Sequence, residues 1–380
     1  MAIDVNHYRQ YFPHLQNKNY LDHASISPLS TPVVTAMTDF LRDRSYGSIA
    51  DYESCFALAT ELRQLLARLI HAESAKTIAF VGNTTLGLNV LAQGLDWQAG
   101  DRVLMTDREF PANVYPYLNL RDQGVIVDFV TSQNGTVPTG ELLAQVKPRT
   151  QLVSLSLVEF MSGYRHDAAV IGKFCHERGI LFALDAIQAL GVVQVDVQDC
   201  HVDFLAAGAQ KWLMSPLGSA FIYVAPHLLP RLRVANLGWL SMDNSWNFFD
   251  YSIRLLDSAA RFEPGTLPFS LLHGMKAAMQ IILSLPAAEL EARILHLSGY
   301  LLQRLQELGF TTYTPTTDSE RAGIVLFSTG DHNERIWQHL KERGIIISLR
   351  ENLLRVSPHF YNTEEDLDSF LTALTELAGK

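Results

Sequence analysis

Seven short, almost wholly apolar runs recur through the middle of the chain, at residues 77–81, 102–106, 125–130, 151–157, 180–185, 202–206 and 220–224. Runs of five to seven residues have the length of strands, and the lack of polar alternation fits strands buried on both faces. Longer amphipathic stretches at 84–93, 113–123, 139–146 and 167–178 carry helical spacing between them. Strands alternating with helices predict an α/β fold, a mostly parallel sheet covered on both sides. Helical spacing also marks 32–41 and 55–70 before the runs, and 270–285 and 287–308 after them. The last part reads strand, helix, strand, strand, helix over 323–327, 333–343, 345–349, 353–356 and 363–378, which predicts a smaller α+β unit. The expected division is an N-terminal arm at 1–30, a large domain at 31–265 and a small domain at 266–380 packed with the arm.

Composition narrows the function classes. The 380 residues include 40 acidic and 30 basic side chains, a formal charge of −10, which disfavours the phosphate backbone of nucleic acids as a partner. The three cysteines, Cys55, Cys175 and Cys200, form no C-x-x-C pair, so neither a disulfide framework nor a thiol redox motif is expected. The first residues are too polar for a signal peptide and no apolar stretch has the length of a membrane span, so a cytoplasmic enzyme without a membrane partner is expected. The histidines are scattered, and no metal site is expected.

In open α/β sheets, ligands sit beyond the carboxyl ends of the strands. Three features lie there. Gly82-Asn83-Thr84-Thr85 joins the first run to a helix; free N–H groups at such a start suit a phosphate, and Asn83 or Thr84 equally suits a helix cap. Asp185 closes a buried run and either caps the next turn or serves a site, with Gln188 three residues on. Lys211 follows small, uncharged residues in Ala206-Ala207-Gly208-Ala209-Gln210-Lys211-Trp212; it either snorkels to the surface or is partly desolvated and nucleophilic. Together, a phosphate-binding helix start, a strand-end acid and a lysine one strand later make the set that pyridoxal phosphate requires.

At these residues the chain resembles the class V aminotransferases, fold-type I pyridoxal-phosphate enzymes whose relatives include cysteine desulfurases, kynureninase and isopenicillin N epimerase. The likeness runs from Tyr20-Leu21-Asp22-His23-Ala24 to the segment that opens at Arg355-Val356-Ser357-Pro358, and includes Arg261-Phe262-Glu263-Pro264-Gly265-Thr266. It implies a seven-stranded sheet in the large domain, a Lys211 Schiff base with pyridoxal 5'-phosphate, and Asp185 on the pyridine nitrogen. Asn83, Thr84, Thr85, Gln188 and Gln210 fall among the cofactor-binding positions, with Phe110 over the ring. Gly265 and Thr266 reach the phosphate of a neighbouring subunit, so a homodimer with shared sites is implied. Arg355 binds the substrate carboxylate, and Arg350 and His23 are further substrate candidates.

Three positions depart from the family pattern. Gln210 stands where histidine is common, Gly208 where desulfurases often carry serine, and Glu159 near the place of a Gln or Asn beside the cofactor's phenolic oxygen. Residues 344–353, where desulfurases carry their nucleophilic cysteine, contain none. The expected activity is therefore an aminotransferase that converts an amino acid to a keto acid. A C–S lyase, a desulfurase-like enzyme or an epimerase on the same cofactor, and a cofactor-binding protein without turnover, are the alternatives.

Overall fold

The computed structural model describes residues 3–379. Its seven apolar runs form one sheet: β1 (Ile78–Val81), β2 (Arg102–Thr106), β3 (Ile126–Val130), β4 (Thr150–Ser156), β5 (Leu181–Asp185), β6 (Phe204–Gly208) and β7 (Ala220–Val224). The order across the sheet is β1-β7-β6-β5-β4-β2-β3. Strands β6, β5, β4, β2 and β3 pair in parallel, and β7 runs antiparallel to both of its neighbours. Strands β5, β6 and β7 are buried throughout, as continuous apolar runs require. Phe182, Phe204 and Phe221 are fully buried along them; burial of a side chain that size contributes roughly 1.5–3 kcal/mol. Edge strand β3 instead carries Asp128, paired with Arg102 at 2.6 Å and Lys147 at 2.8 Å, and charge on an edge discourages pairing with another chain.

Helix starts follow the local polar residues. Asp51 accepts from the Ser54 amide to open Tyr52–Leu69, and Asp167 accepts from the Val170 amide to open Ala168–Glu177. The helix expected over 113–123 breaks into short turns, with Tyr115–Leu118 its one α-helical piece. Pro111 and Pro116 supply no backbone N–H, so each sits at the start of a turn and none is continued.

The buried apolar side chains of the described residues form two cores. Helix Phe269–Ser284 packs on Thr31–Tyr46 and Tyr52–Leu69 and buries Leu272, Met275 and Ile282 in the large core. The second core takes Leu21 from the arm and otherwise draws on residues from Leu297, within helix Ala287–Glu307, onward. That core lies under an antiparallel sheet in the order Ser348–Arg350, Leu353–Val356, Val325–Ser328, Thr311–Thr312. The strand expected at 345–349 splits: Ile345–Ile346 pairs in parallel with Asn19–Tyr20 of the arm, and Ser348–Arg350 joins the small sheet. No single helix among the described residues is long and apolar enough to cross a membrane.

Candidate active site

The carboxyl ends of β1, β5 and β6 bring the three sequence features together. Asn83 caps helix Thr84–Gly94 by accepting from the Leu86 amide at 2.9 Å. The first amides of that helix have no intrahelical acceptor and face outward with the positive end of its dipole. Thr84 is buried, and its hydroxyl accepts from the Gly208 amide at 2.9 Å, tying the helix start to the end of β6; Thr85 is exposed beside it.

Asp185 ends β5 fully enclosed, and its carboxylate accepts from the Ile187 amide at 3.0 Å. Burial pushes its pKa up to about 6, against the opposing pull of Lys211. Lys211 follows β6. Burial lowers its amine to about 8, while Asp185 draws it upward and Arg355 and Arg350 push it down. Its Nζ lies 5.7 Å from the centre of the Phe110 ring, which is 45% exposed and meets Phe160 edge-to-face at 5.2 Å. The lysine is thus a partly desolvated amine acted on by an acid and facing the Phe110 ring.

Gly208 and Gln210 are linked departures. A Cβ on Gly208 would stand 2.6 Å from Gln210 Oε1, 3.0 Å from Ile187 and 3.2 Å from the Thr84 hydroxyl. The glutamine occupies the space that a residue-208 side chain would need. Gln188 donates to the Ala24 carbonyl at 3.0 Å and accepts from the Trp212 indole at 2.8 Å, so its amide locks the arm onto the lysine loop.

Arg355 lies on the middle of the small sheet and is nearly fully buried. Its guanidinium donates to Ser348 Oγ at 3.2 Å, to the Phe160 carbonyl at 2.6 Å and to Ser25 Oγ at 2.7 Å, with Asp22 3.7 Å away. Burial lowers its pKa to about 10, with Asp22 opposing, and burial raises Asp22, with Arg355 opposing. Arg350, at the surface, shares Ser25 Oγ at 3.2 Å. The sequence offers no signal for Asp22, Ser348 or Phe160, because single residues on separate elements carry no local pattern, while Ser25 falls in the arm segment 23–26 expected to shape substrate choice.

His23, expected among the substrate contacts, lies inside the protein. Its ring is fully buried, with Nδ1 on the Ser357 carbonyl at 2.9 Å and Nε2 on the Tyr361 hydroxyl at 2.6 Å. Both nitrogens are used, and burial holds its pKa well below the usual value.

Gly265 and Thr266 share a groove of about 460 Å³ with Gly82. Glu263 fixes them there: it accepts from the Phe80 amide of edge strand β1 at 2.8 Å and pairs with Arg63 at 2.6 Å. The three thiols sit on other elements. Cys175 is buried and pushed up to about 12, and Cys55 and Cys200 are also raised by burial, so none is a ready thiolate. Among the described residues no group of three or more His, Cys, Asp or Glu is placed to hold a metal ion.

The sequence pattern of the class-V aminotransferases matches residues 19–370. The chain belongs to that family. The family depends on pyridoxal phosphate, so that is the cofactor here, and the buried acid, desolvated lysine and open helix start are a donor set that fits it. An uncharacterized aminotransferase of Bacillus subtilis, YcbU, is 28% identical over 98% of this chain and 97% of its own. A probable cysteine desulfurase of Methanothermobacter thermautotrophicus is also 28% identical, over 98% and 97%. Among solved structures, apo cysteine desulfurase from Thermococcus onnurineus superposes with a TM-score of 0.91, covering 100% of this chain and 99% of that one at 24% identity, which establishes the fold. The cystine C–S lyase C-DES, solved with its product cysteine persulfide, matches at 0.88 and 25% identity over 96% and 99%.

Proposed function

We propose that this class V family member is an aminotransferase that binds a free amino acid by its carboxylate on Arg355 and passes its amino group to the cofactor that Lys211 holds. The observation that carries this reading is the convergence of Arg355, Asp185 and Lys211 at one mouth of the sheet. Pyridoxal phosphate, when bound, supplies an aldehyde for amines and a ring that takes up the electron pair left when a bond at the amino-bearing carbon breaks. Asn83, Thr84 and Thr85 hold the phosphate at the helix start, and Asp185 holds a proton at the ring nitrogen. The Lys211 amine, lowered to about 8, is partly neutral near pH 7 and takes the proton from the substrate's amino-bearing carbon. Arg355 has five N–H donors, and three atoms donate within the protein, so its fork retains donors for a carboxylate. Phe110 stands over the Lys211 amine. Gly265 and Thr266 complete the phosphate site of a second copy, and the exposed aromatic segment with Trp246, Phe248 and Tyr251 fits burial against that copy.

A C–S lyase is the second reading, favoured by the likeness to C-DES. A desulfurase that carries sulfur on a loop cysteine fits less well, because residues 344–353 lack cysteine.

The test is borohydride reduction of the purified protein followed by peptide mapping. A pyridoxyl group on Lys211, absent in Lys211→Ala, is expected; an unlabelled wild type overturns the reading. Amino acids are then screened for keto-acid formation with loss of the bound absorbance, against release of sulfide and pyruvate. Sulfide without transamination selects the lyase.

A further inference from the structure

Lys211 is held through the peptides on either side of it, from distant parts of the chain. The Gln210 carbonyl accepts from the Ser27 amide of the arm at 2.9 Å, and the Lys211 carbonyl accepts from the Met214 amide at 2.9 Å. The next carbonyl, that of Trp212, is taken by the segment that leaves the small sheet: His359 Nε2 donates to it at 2.8 Å.

One tautomer satisfies both ring nitrogens of His359. The Phe360 amide donates to Nδ1 at 2.8 Å, so the ring proton sits on Nε2 and faces the Trp212 carbonyl. The backbone under the ring is fixed too. The His359 amide donates to Asn362 Oδ1 at 2.8 Å, and its carbonyl accepts from the Asn362 amide at 2.9 Å. The ring is fully buried among His23 at 5.1 Å, Trp212 at 5.6 Å and Tyr361 at 5.9 Å. Burial lowers it to about 4, against the pull of the Trp212 carbonyl, so it is neutral near pH 7.

Trp212 has no room to move away. Its indole donates to Gln188 at 2.8 Å. A Cβ on Gly191, at φ +88°, would stand 2.6 Å from the Trp212 carbonyl oxygen, and a Cβ on Gly323 would stand 2.6 Å from Cη2 of the indole. Both glycines let neighbouring backbone close on this residue. Between Arg355 and His359, the Ser357 hydroxyl accepts from the Ala24 amide at 2.9 Å. A stretch of five residues therefore carries the guanidinium of the site at one end and the hold on the lysine loop at the other. In an amino acid the carboxylate is bonded directly to the carbon that loses its proton. The group that takes the carboxylate and the amine that takes the proton must keep one separation.

We propose that His359 is a positioning residue that sets the separation of Lys211 from Arg355, by fixing the peptide after the lysine through its Nε2–H. The catalytic half of this inference rests on the roles proposed above for Lys211 and Arg355, and the test separates the two.

Wild type, His359→Gln and His359→Asn are compared as full-length chains. The glutamine amide reaches the place of Nε2 and still donates; the asparagine amide ends near the place of Nδ1 and falls short of Trp212. Hydrogen–deuterium exchange without cofactor is read over residues 209–215 and, as reference, over strand β4. In His359→Asn the 209–215 amides should exchange roughly 10-fold faster, the scale of one lost buried hydrogen bond. The reference should not change, and His359→Gln should follow wild type. Equal exchange in all three chains, or acceleration in β4 as well, overturns the proposal. A His359→Gln chain that does not fold also overturns it, because a donor at that place would not suffice. The signal missing from His359→Gln identifies the wild-type ring in spectra of 15N-histidine protein. A proton on Nδ1, or a charged ring at pH 7, overturns the proposal even where His359→Asn does not fold. With cofactor bound, His359→Asn should lower kcat by roughly 10- to 100-fold, the scale of a misplacement of about 1 Å. KM for the amino acid should stay near wild type, because Arg355 is untouched. A raised KM with kcat intact overturns the lysine role. A wild type without a pyridoxyl label on Lys211 sinks the proposed function and leaves the exchange result to decide whether His359 fixes the loop.

Discussion

The two sides of the site are built in contrasting ways. The sheet side, with Thr84, Asp185 and Lys211, comes from strand ends whose positions are set by short local turns on neighbouring strands. The opposite side, around Arg355, joins the arm (Asp22, Ser25), the small sheet (Ser348, Arg355) and the β4 exit (Phe160), segments hundreds of residues apart. The sheet side is held by backbone geometry, so its side chains are replaceable without loss of the fold. The arginine side is held by the side chains themselves, and removing one leaves others buried without partners.

That contrast predicts its largest effect at Arg355. Arg355→Ala should destabilise the chain by about 3 kcal/mol, because Asp22 is left in a low-dielectric setting without its cation. It should also raise KM for an amino acid by roughly 10-fold or more, from the loss of charged hydrogen bonds. Denaturant melts and initial rates measure both, and an unchanged melt would show that the arm and small sheet hold without the guanidinium. Arg355→Lys should keep the charge, lose the fork and fall between.

The second effect lies on the sheet side and has the opposite sign. The folded-state Lys211 is lowered to about 8, below its ordinary 10.5. Between those values the unfolded chain binds more protons, so stability rises as pH climbs from 8 toward 10.5 and is lost below. In cofactor-stripped protein at pH 7, Lys211→Met should therefore raise Tm by roughly 2 °C or more, with the gain shrinking toward pH 10.5. A Tm gain that does not vary with pH would mean that packing, and not charge, is responsible.

The smallest effect sharpens the boundary between the two designs. Gly208→Ser places its Cβ against the movable end of Gln210, with Ile187 and Thr84 next in line. A loss of about 1 kcal/mol is expected, and Gly208→Ser with Gln210→His should recover most of it. Non-recovery would trace the crowding to Ile187 and Thr84 instead.

Legibility in the sequence follows the same line. The seven apolar runs became the seven strands because a strand buried on both faces has a signature in its own residues. Asp185 and Lys211 were visible because each directly follows such a run. Asn83 is legible as a cap, its Oδ1 accepting from the Leu86 amide, and that bond leaves its own amide N–H groups for a phosphate. Nothing local to His23 reveals that Ser357 and Tyr361 take both of its ring nitrogens. The helix at 113–123 failed at Pro116, a breaker present in the sequence but outweighed by its apolar neighbours.

The sequence by itself determined the alternation of strands and helices, the strand ends that carry the acid, the lysine and the helix start, and membership of the family. Those depend on hydrophobic period and on turn chemistry, which act over a few residues. Only the tertiary structure decided that helix Phe269–Ser284 belongs to the large core, that Gln210 fills the space left by Gly208, and that His359 binds the peptide after Lys211. Those depend on side chains meeting across the sheet and between units, and a buried charge takes its protonation from neighbours that its own stretch of chain does not name.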